Sequence, residues 1–338
     1  MEEEVQEVPE SKKSSLLNKL LKVVLPLGFG IAIIYYLFKD IDFAEVWSIL
    51  KSANWAILLF SLVFGLLGNT IRGYRWEMFI KPLGYSPKVS NLNYAIYGGY
   101  AVNFALPRAG EIWRCGVIAK EENIPFSKLF GTMILDRIFD TFTVLFISLL
   151  AFAFNMQYFI TYLKSNQQTF ETFSSILTSP VLYIAIVAAI VTTYIVFKFF
   201  KENIIVRKIK DFLVGMANDM KAIWKMKTKG RLLLCTIGIW GSYFLYFYIT
   251  FFAFDFMQDL GITAGLFAFA LSSISMGVPS NGGLGPWQIA VIAALSLYRV
   301  DGLHATAYAT GVFAVQSMWV ILCGFFGFAM LARNKKNK

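Results

Sequence analysis

The block NFALPRAGEIWR (103–114) places Arg108, Glu111 and Arg114 at three-residue intervals just after a proline, with Asn103 opening the block. Residues so spaced lie along one side of a helix, where neighbours can pair. The arginines suit a phosphate, and the carboxylate suits a cationic head group or the orientation of those arginines. At mid-bilayer each such charge costs about 2.5–3.5 kcal/mol, so it faces a cavity, a partner or a ligand. Asp136, Arg137 and Asp140 form a second cluster, in which the two aspartates share a helix face and Arg137 can pair with Asp140. It reads equally as a ligand site or as an interfacial salt bridge. A third element, PSNGGLGPWQ (279–288), carries no charge. There Asn281, Gly282, Gly283, Gly285 and Gln288 are the candidates, because freed N–H groups of a Gly-rich turn can hold an anion; close packing of small residues is the alternative. Arg72, Arg75 and Trp76 lie where an apolar block ends. Trp76 reads as an interface anchor, and Arg75 as either an anchor or a ligand contact.

The elements that carry these residues are membrane helices. Hydrophobic residues make up 57% of the 338 positions and charged ones 15%, against roughly 25% charged in soluble domains. The apolar residues fall in blocks at 20–38, 55–71, 142–154, 181–197, 232–254 and 305–332. Spanning a bilayer takes about 20 apolar residues, and none of these blocks shows the polar stripe of a soluble core helix. The expected fold is all-α and polytopic. The first block starts behind MEEEVQEVPE with no small-residue cleavage site after it, so it reads as a retained span rather than a signal peptide. Residues 1–15 read as a disordered cytoplasmic tail, 16–333 as one membrane domain and 334–338 as a second cytoplasmic tail.

The net charge of +10 follows from cytoplasmic loops, which collect Lys and Arg; nucleic acid is not needed to explain it. Bases crowd the 198–231 loop, the C-terminal tail and the stretch before the first span, whereas 155–179 carries only Lys164 and 255–262 none. Both termini and the 198–231 loop are therefore expected in the cytoplasm. This sidedness leaves two apolar pieces with both flanks on one side. One is about 91–120, interrupted at LPRAG; the other is about 262–298, interrupted at PSNGGLGP. A break at membrane depth frees backbone groups that only protein or a wet cavity can satisfy. Paired breaks in two halves of opposite topology mark a transporter's central site. The expectation is six full spans and two oppositely oriented re-entrant hairpins in an inverted repeat.

Cys115, Cys235 and Cys323 are isolated and His304 is the single histidine, so neither a zinc site nor a Cys/His nucleophile is expected. No cofactor is implied. With no GxxxxGK[ST] element, ATP use is not indicated either.

Together, Arg75–Trp76, NFALPRAGEIWR, the Asp136–Arg137–Asp140 cluster and PSNGGLGPWQ resemble the flippase-like membrane domain of the lysylphosphatidylglycerol synthase family. The resemblance runs over about 20 to 330, and LP-x-x-GE-x-x-R is its most specific part. It implies a fold that handles lipids with polar heads, whether aminoacylated phospholipids or polyprenyl-linked sugars. The two-domain relatives carry a soluble aminoacyl-transfer domain after the membrane part; this chain stops at Lys338, so lysyl transfer is not expected of it. Where that family's second break leads into a glutamate, this chain has Gln288, leaving Glu111 without an acidic counterpart. The leading expectation is a lipid flippase or head-group transporter of the plasma (inner) membrane, with anionic or zwitterionic lipids as partners and a homo-oligomer compatible with it. The alternatives are an integral-membrane transferase using Glu111, Asp136 and Asp140 as acid or base, and a non-catalytic membrane subunit.

Overall fold

The computed structural model describes residues 43–165, 171, 175, 178–199 and 229–336. The expected first span, the N-terminal tail, the last two residues of the C-terminal tail and most of the basic loop lie outside these residues. Ten α-helices are described: α1 (Phe43–Ser52), α2 (Trp55–Ile80), α3 (Val89–Ala105), α4 (Ala109–Glu121), α5 (Phe126–Ser165), α6 (Pro180–Phe199), α7 (Lys229–Tyr248), α8 (Ile262–Ser275), α9 (Pro286–Leu297) and α10 (Gly302–Lys336). No strand occurs among the described residues.

Four helical stretches are long and apolar enough to cross a membrane: Trp55–Leu83, Phe126–Tyr158, Lys229–Ala253 and Gly302–Asn334. They carry exposed apolar side chains, such as Leu59, Phe60 and Val63 on α2, Phe146 and Leu149 on α5, and Phe325 and Phe326 on α10. Water would penalise faces of this size, whereas hydrocarbon accepts them, and helices satisfy their own backbone groups there. The chain is a polytopic α-helical membrane protein. Of the six expected spans, four correspond to these stretches, the fifth to the apolar helix α6, and the sixth falls outside the described residues.

Local sequence explains the boundaries. Asn54 caps α2, its Oδ1 accepting from the N–H groups of Ala56 (3.1 Å) and Ile57 (3.4 Å), as an N-cap side chain does. Gly65 and Gly68 let α2 lie against the rings of Tyr246 and Tyr243 on α7. On α10, Gly324 and Gly327 face Ala101 and the Tyr94 carbonyl of α3; small residues bring membrane helices close in this way.

The two interrupted segments each form a helix–turn–helix pair too short to span, α3–α4 and α8–α9. In the first, the backbones nearly touch: a Cβ on Gly110 would collide with the Gly99 carbonyl oxygen, so only glycine serves there. In the second, Gly282, Gly283 and Gly285 adopt φ of 62°, 94° and 89°, which the missing Cβ makes inexpensive. Each pair has its own apolar core. Trp76, Leu92, Ile96, Ile118 and Leu129 pack around α3–α4, and Phe247, Phe251, Trp287, Val291 and Tyr308 around α8–α9.

Candidate functional site

The two turns meet. The N–H of Gly282 donates to the carbonyl oxygen of Asn103 (3.1 Å). Asn281 Nδ2 donates to the carbonyl oxygens of Phe104 (2.9 Å) and Ala105 (3.4 Å). From the other side, Arg108 Nη2 donates to the carbonyl oxygens of Met276 (3.2 Å) and Gly277 (2.6 Å). The backbone groups released by each break are thus partly satisfied by the other break, which a helix interrupted inside a membrane requires. Asn103 Oδ1 also accepts the N–H of Gly110 (2.8 Å), restoring a bond at the start of α4.

Beside these tips lies a cavity of about 520 Å³. One wall is polar: Asn69 and Arg72 from α2, Tyr100 and Asn103 from α3, Glu111 from α4, Arg137 and Asp140 from α5. Apolar rings line it as well, among them Phe247, Phe269, Trp287 and Phe313. Leu145, Ile274, Met276 and Val278 also line it and are exposed.

Behind the polar wall sits a buried ionic lattice. Arg72 and Arg75 are one turn apart on α2, and Asp136 and Asp140 one turn apart on α5, so two guanidinium groups face two carboxylates. Arg75 Nη2 lies 2.6 Å from Asp136 Oδ1 and 2.6 Å from Asp140 Oδ1. Arg72 Nη1 lies 3.0 Å from Asp136 Oδ2 and 2.6 Å from Asp140 Oδ2. Arg114 completes the group at 3.4 Å from Asp136 Oδ2, its guanidinium 4.6 Å above the Trp76 ring. Trp76 is held in turn by its indole N–H, which donates to Thr132 Oγ1 (3.0 Å). Arg137, by contrast, is 3.6 Å from Glu111 and 3.8 Å from Asp140. A hydroxyl cluster borders the lattice: Tyr243 OH donates to Asn69 Oδ1 (2.6 Å) and accepts from Arg72 Nε (3.3 Å).

The placements differ from the sequence expectations in several respects. Arg108, Glu111 and Arg114 do not pair along their own helix. Arg108 stands before the first helical residue at φ 64°, which turns its side chain toward α8, while Glu111 and Arg114 each find a partner on α5. Arg137–Asp140 is a long contact; Asp140's short ones are to α2. Arg75, Arg114 and Asp136, read as candidate ligand contacts, are buried behind the cavity wall rather than lining it. Gln288 does not line the cavity either; its Oε1 accepts the N–H of Gly285 (2.8 Å), capping α9. Gly285 forms the turn, whereas Gly282 and Gly283 do line the cavity. Arg72, Tyr100, Asn69 and Tyr243 were missed as site residues. Arg72 carried a signal: it shares a face with Arg75 in an apolar helix, as Asp136 and Asp140 share one on theirs. The tyrosines carried none among so many aromatics. Among the described residues no three His, Cys, Asp or Glu side chains group as metal ligands.

An all-helical membrane protein with two broken hairpins joined over a polar-walled cavity is the class this geometry defines. Residues 23–324 match the family described as the lysylphosphatidylglycerol synthase TM region, and the chain belongs to that family. It is similar to the glycosyltransferase AglD of Haloferax volcanii, 32% identical over 105 residues, which is 31% of this chain and 17% of that protein. It is also similar to a UPF0104 membrane protein of Methanocaldococcus jannaschii, 26% identical over 140 residues, 40% of each chain. The matched region therefore spans well under half the length of either curated relative. No solved structure matches the chain.

Proposed function

We propose that this protein moves lipids with phosphate-bearing polar heads between the leaflets of the plasma (inner) membrane, with both termini cytoplasmic. The observation that carries the reading is the cavity's lining, which is both polar and apolar. Asn69, Arg72, Tyr100, Asn103, Glu111 and Arg137 offer a head group a polar wall, while Phe247, Phe269, Trp287 and Phe313 offer its first methylenes an apolar one. Exposed lining residues Leu145, Ile274, Met276 and Val278 supply an apolar edge along which acyl or prenyl chains remain in lipid. The two helical hairpins enter from opposite faces as an inverted repeat, and their joined tips form the cavity's end. Arg137 takes the role of phosphate ligand that the sequence suggested for Arg108 and Arg114. Arg108 guards the tip.

The test is transbilayer movement of fluorescent phospholipid in proteoliposomes. Wild-type protein accelerates it over protein-free vesicles, and Ser273→Trp, which fills the cavity from α8, returns it to the protein-free rate. No acceleration by well-folded wild-type protein sinks the reading.

The similarity to a protein named a glycosyltransferase favours a second reading, in which a lipid-linked sugar is the cargo or the donor and Glu111 acts as acid or base. Appearance of a mass-shifted lipid after incubation with such a donor separates this reaction from transport.

A further inference from the structure

The two hairpins are separately packed bodies that meet at their tips. The α3–α4 pair packs along α10, α2 and α5, and the α8–α9 pair along α5, α7 and α10. Each has its own apolar core, around Leu92 and Ile118 in the first and Phe269 and Val291 in the second. Among the described residues no helix of one pair packs along a helix of the other. The hydrogen bonds that join the tips come from Gly282, Asn281 and Arg108, and every acceptor is a backbone carbonyl. Phe104 lies against Gly282, which has no side chain to interlock with it. Parting such a junction does not pull apart interdigitated side chains, which are what makes a packed core resist deformation.

The junction also works against itself. Arg108 fastens it from a left-handed backbone, φ 64°, which a residue with a Cβ seldom adopts. Asn281 is only 6% exposed, and its Oδ1 has no hydrogen-bond partner among the described residues, a costly state for a buried acceptor. Both penalties fall when the tips part, because the chain at Arg108 relaxes and Asn281 Oδ1 reaches solvent. What closes the junction is chiefly the charge-assisted bonding of Arg108, stronger than a bond between neutral groups. The junction is balanced rather than locked.

From this geometry we infer that the tip junction is a latch, with Arg108 as its bolt, and that the hairpins part there each time a lipid crosses. Asn103, Arg108 and Gly282 all line the cavity, so parting the tips extends that cavity between the two bodies. The separate apolar cores stay intact on either side while it is open. This inference rests on the transport reading and supplies its moving part.

The test uses the full chain in proteoliposomes, with Cys115, Cys235 and Cys323 replaced by alanine and new cysteines placed by Ala105→Cys and Ser280→Cys. Bridging the new pair with a short bifunctional methanethiosulfonate should stop the movement of fluorescent phospholipid. The monofunctional reagent on the same cysteines should not, and dithiothreitol should restore movement after bridging. Movement at the unbridged rate with the tips bridged overturns the latch. Nitroxides at the same two positions read the junction without any transport, since a spectrum broadened by the neighbouring spin reports joined tips. Arg108→Ala should raise the ratio of parted to joined tips about tenfold, the factor attached to one hydrogen bond from a charged group. Arg108→Lys, which keeps a charged donor, should raise it less. Equal broadening with Arg108 present and in Arg108→Ala also overturns the latch. If the unbridged protein moves no lipid, the transport reading falls and the spin labels alone decide the junction.

Discussion

Arg108 reaches from the turn between α3 and α4 to the carbonyl oxygen of Gly277, 2.6 Å from its Nη2, and does so from a left-handed backbone at φ 64°. A non-glycine residue held there costs of order 1–3 kcal/mol. The side chain therefore fastens the two tips against a backbone preference that opposes the arrangement.

That opposition is separable by substitution. Arg108→Ala loses the fastening and keeps the strained backbone; Arg108→Gly loses the fastening and relieves the strain. Both variants should show faster amide exchange at Gly282, whose N–H is bonded to Asn103. The glycine variant should melt higher than the alanine variant by the equivalent of about 1 kcal/mol. Equal melting temperatures would show that no backbone strain resides at this position.

The ionic lattice and the cavity pair should differ sharply in their contribution to stability. Asp136→Asn leaves Arg114 without a carboxylate and Arg72 and Arg75 with Asp140 alone in a buried site, a loss of about 3–5 kcal/mol. Glu111→Gln disturbs a long, partly exposed contact and should cost less than about 1 kcal/mol. Thermal unfolding of both variants in one detergent gives the comparison, and a larger loss for Glu111→Gln would reverse this order.

Gly110 tests the first hairpin. Gly110→Ala drives a methyl group into the Gly99 carbonyl and should destabilise by at least the 1–3 kcal/mol typical of overpacking. Gly116→Ala, on the same helix with nothing within 4 Å of the added carbon, should be neutral or slightly stabilising. Retention of the wild-type melting temperature by Gly110→Ala would contradict the close backbone approach.

Much of this architecture was legible in the chain. Apolar block length gave the described spans, and the Pro and Gly interruptions located both helix–turn–helix pairs within a few residues: about 91–120 against Val89–Glu121, and about 262–298 against Ile262–Leu297. Less legible was which charges pair. Spacing of three or four residues reveals partners on the same helix, but Arg75 and Asp136 are 61 positions apart and meet only because α2 and α5 cross. Burial was hidden for the same reason, so Arg75, Arg114 and Asp136 read as ligand contacts when they stand behind the wall. Gln288 looked like a lost acidic ligand, whereas its amide oxygen serves a backbone N–H, a task open to either side chain.

Gln288 yields a final pair of variants. Gln288→Ala removes the acceptor for Gly285 N–H and should cost about 1 kcal/mol, as other capping losses do. Gln288→Glu keeps an acceptor at the positive end of α9 and should lose less. Circular dichroism melts of the two proteins decide the order, and an alanine variant as stable as wild type would remove the capping role.

The lattice also imposes a schedule on biosynthesis. Arg72 and Arg75 emerge from the ribosome before their counter-ions, and at roughly 5–20 residues per second the 61 positions to Asp136 take several seconds. During that interval α2 holds two unneutralised arginines near its C-terminal end, where long side chains can reach up toward the aqueous interface. Neutralising the arginines of α2 thus waits on translation of α5, so the charge balance of this helix is completed by one made later.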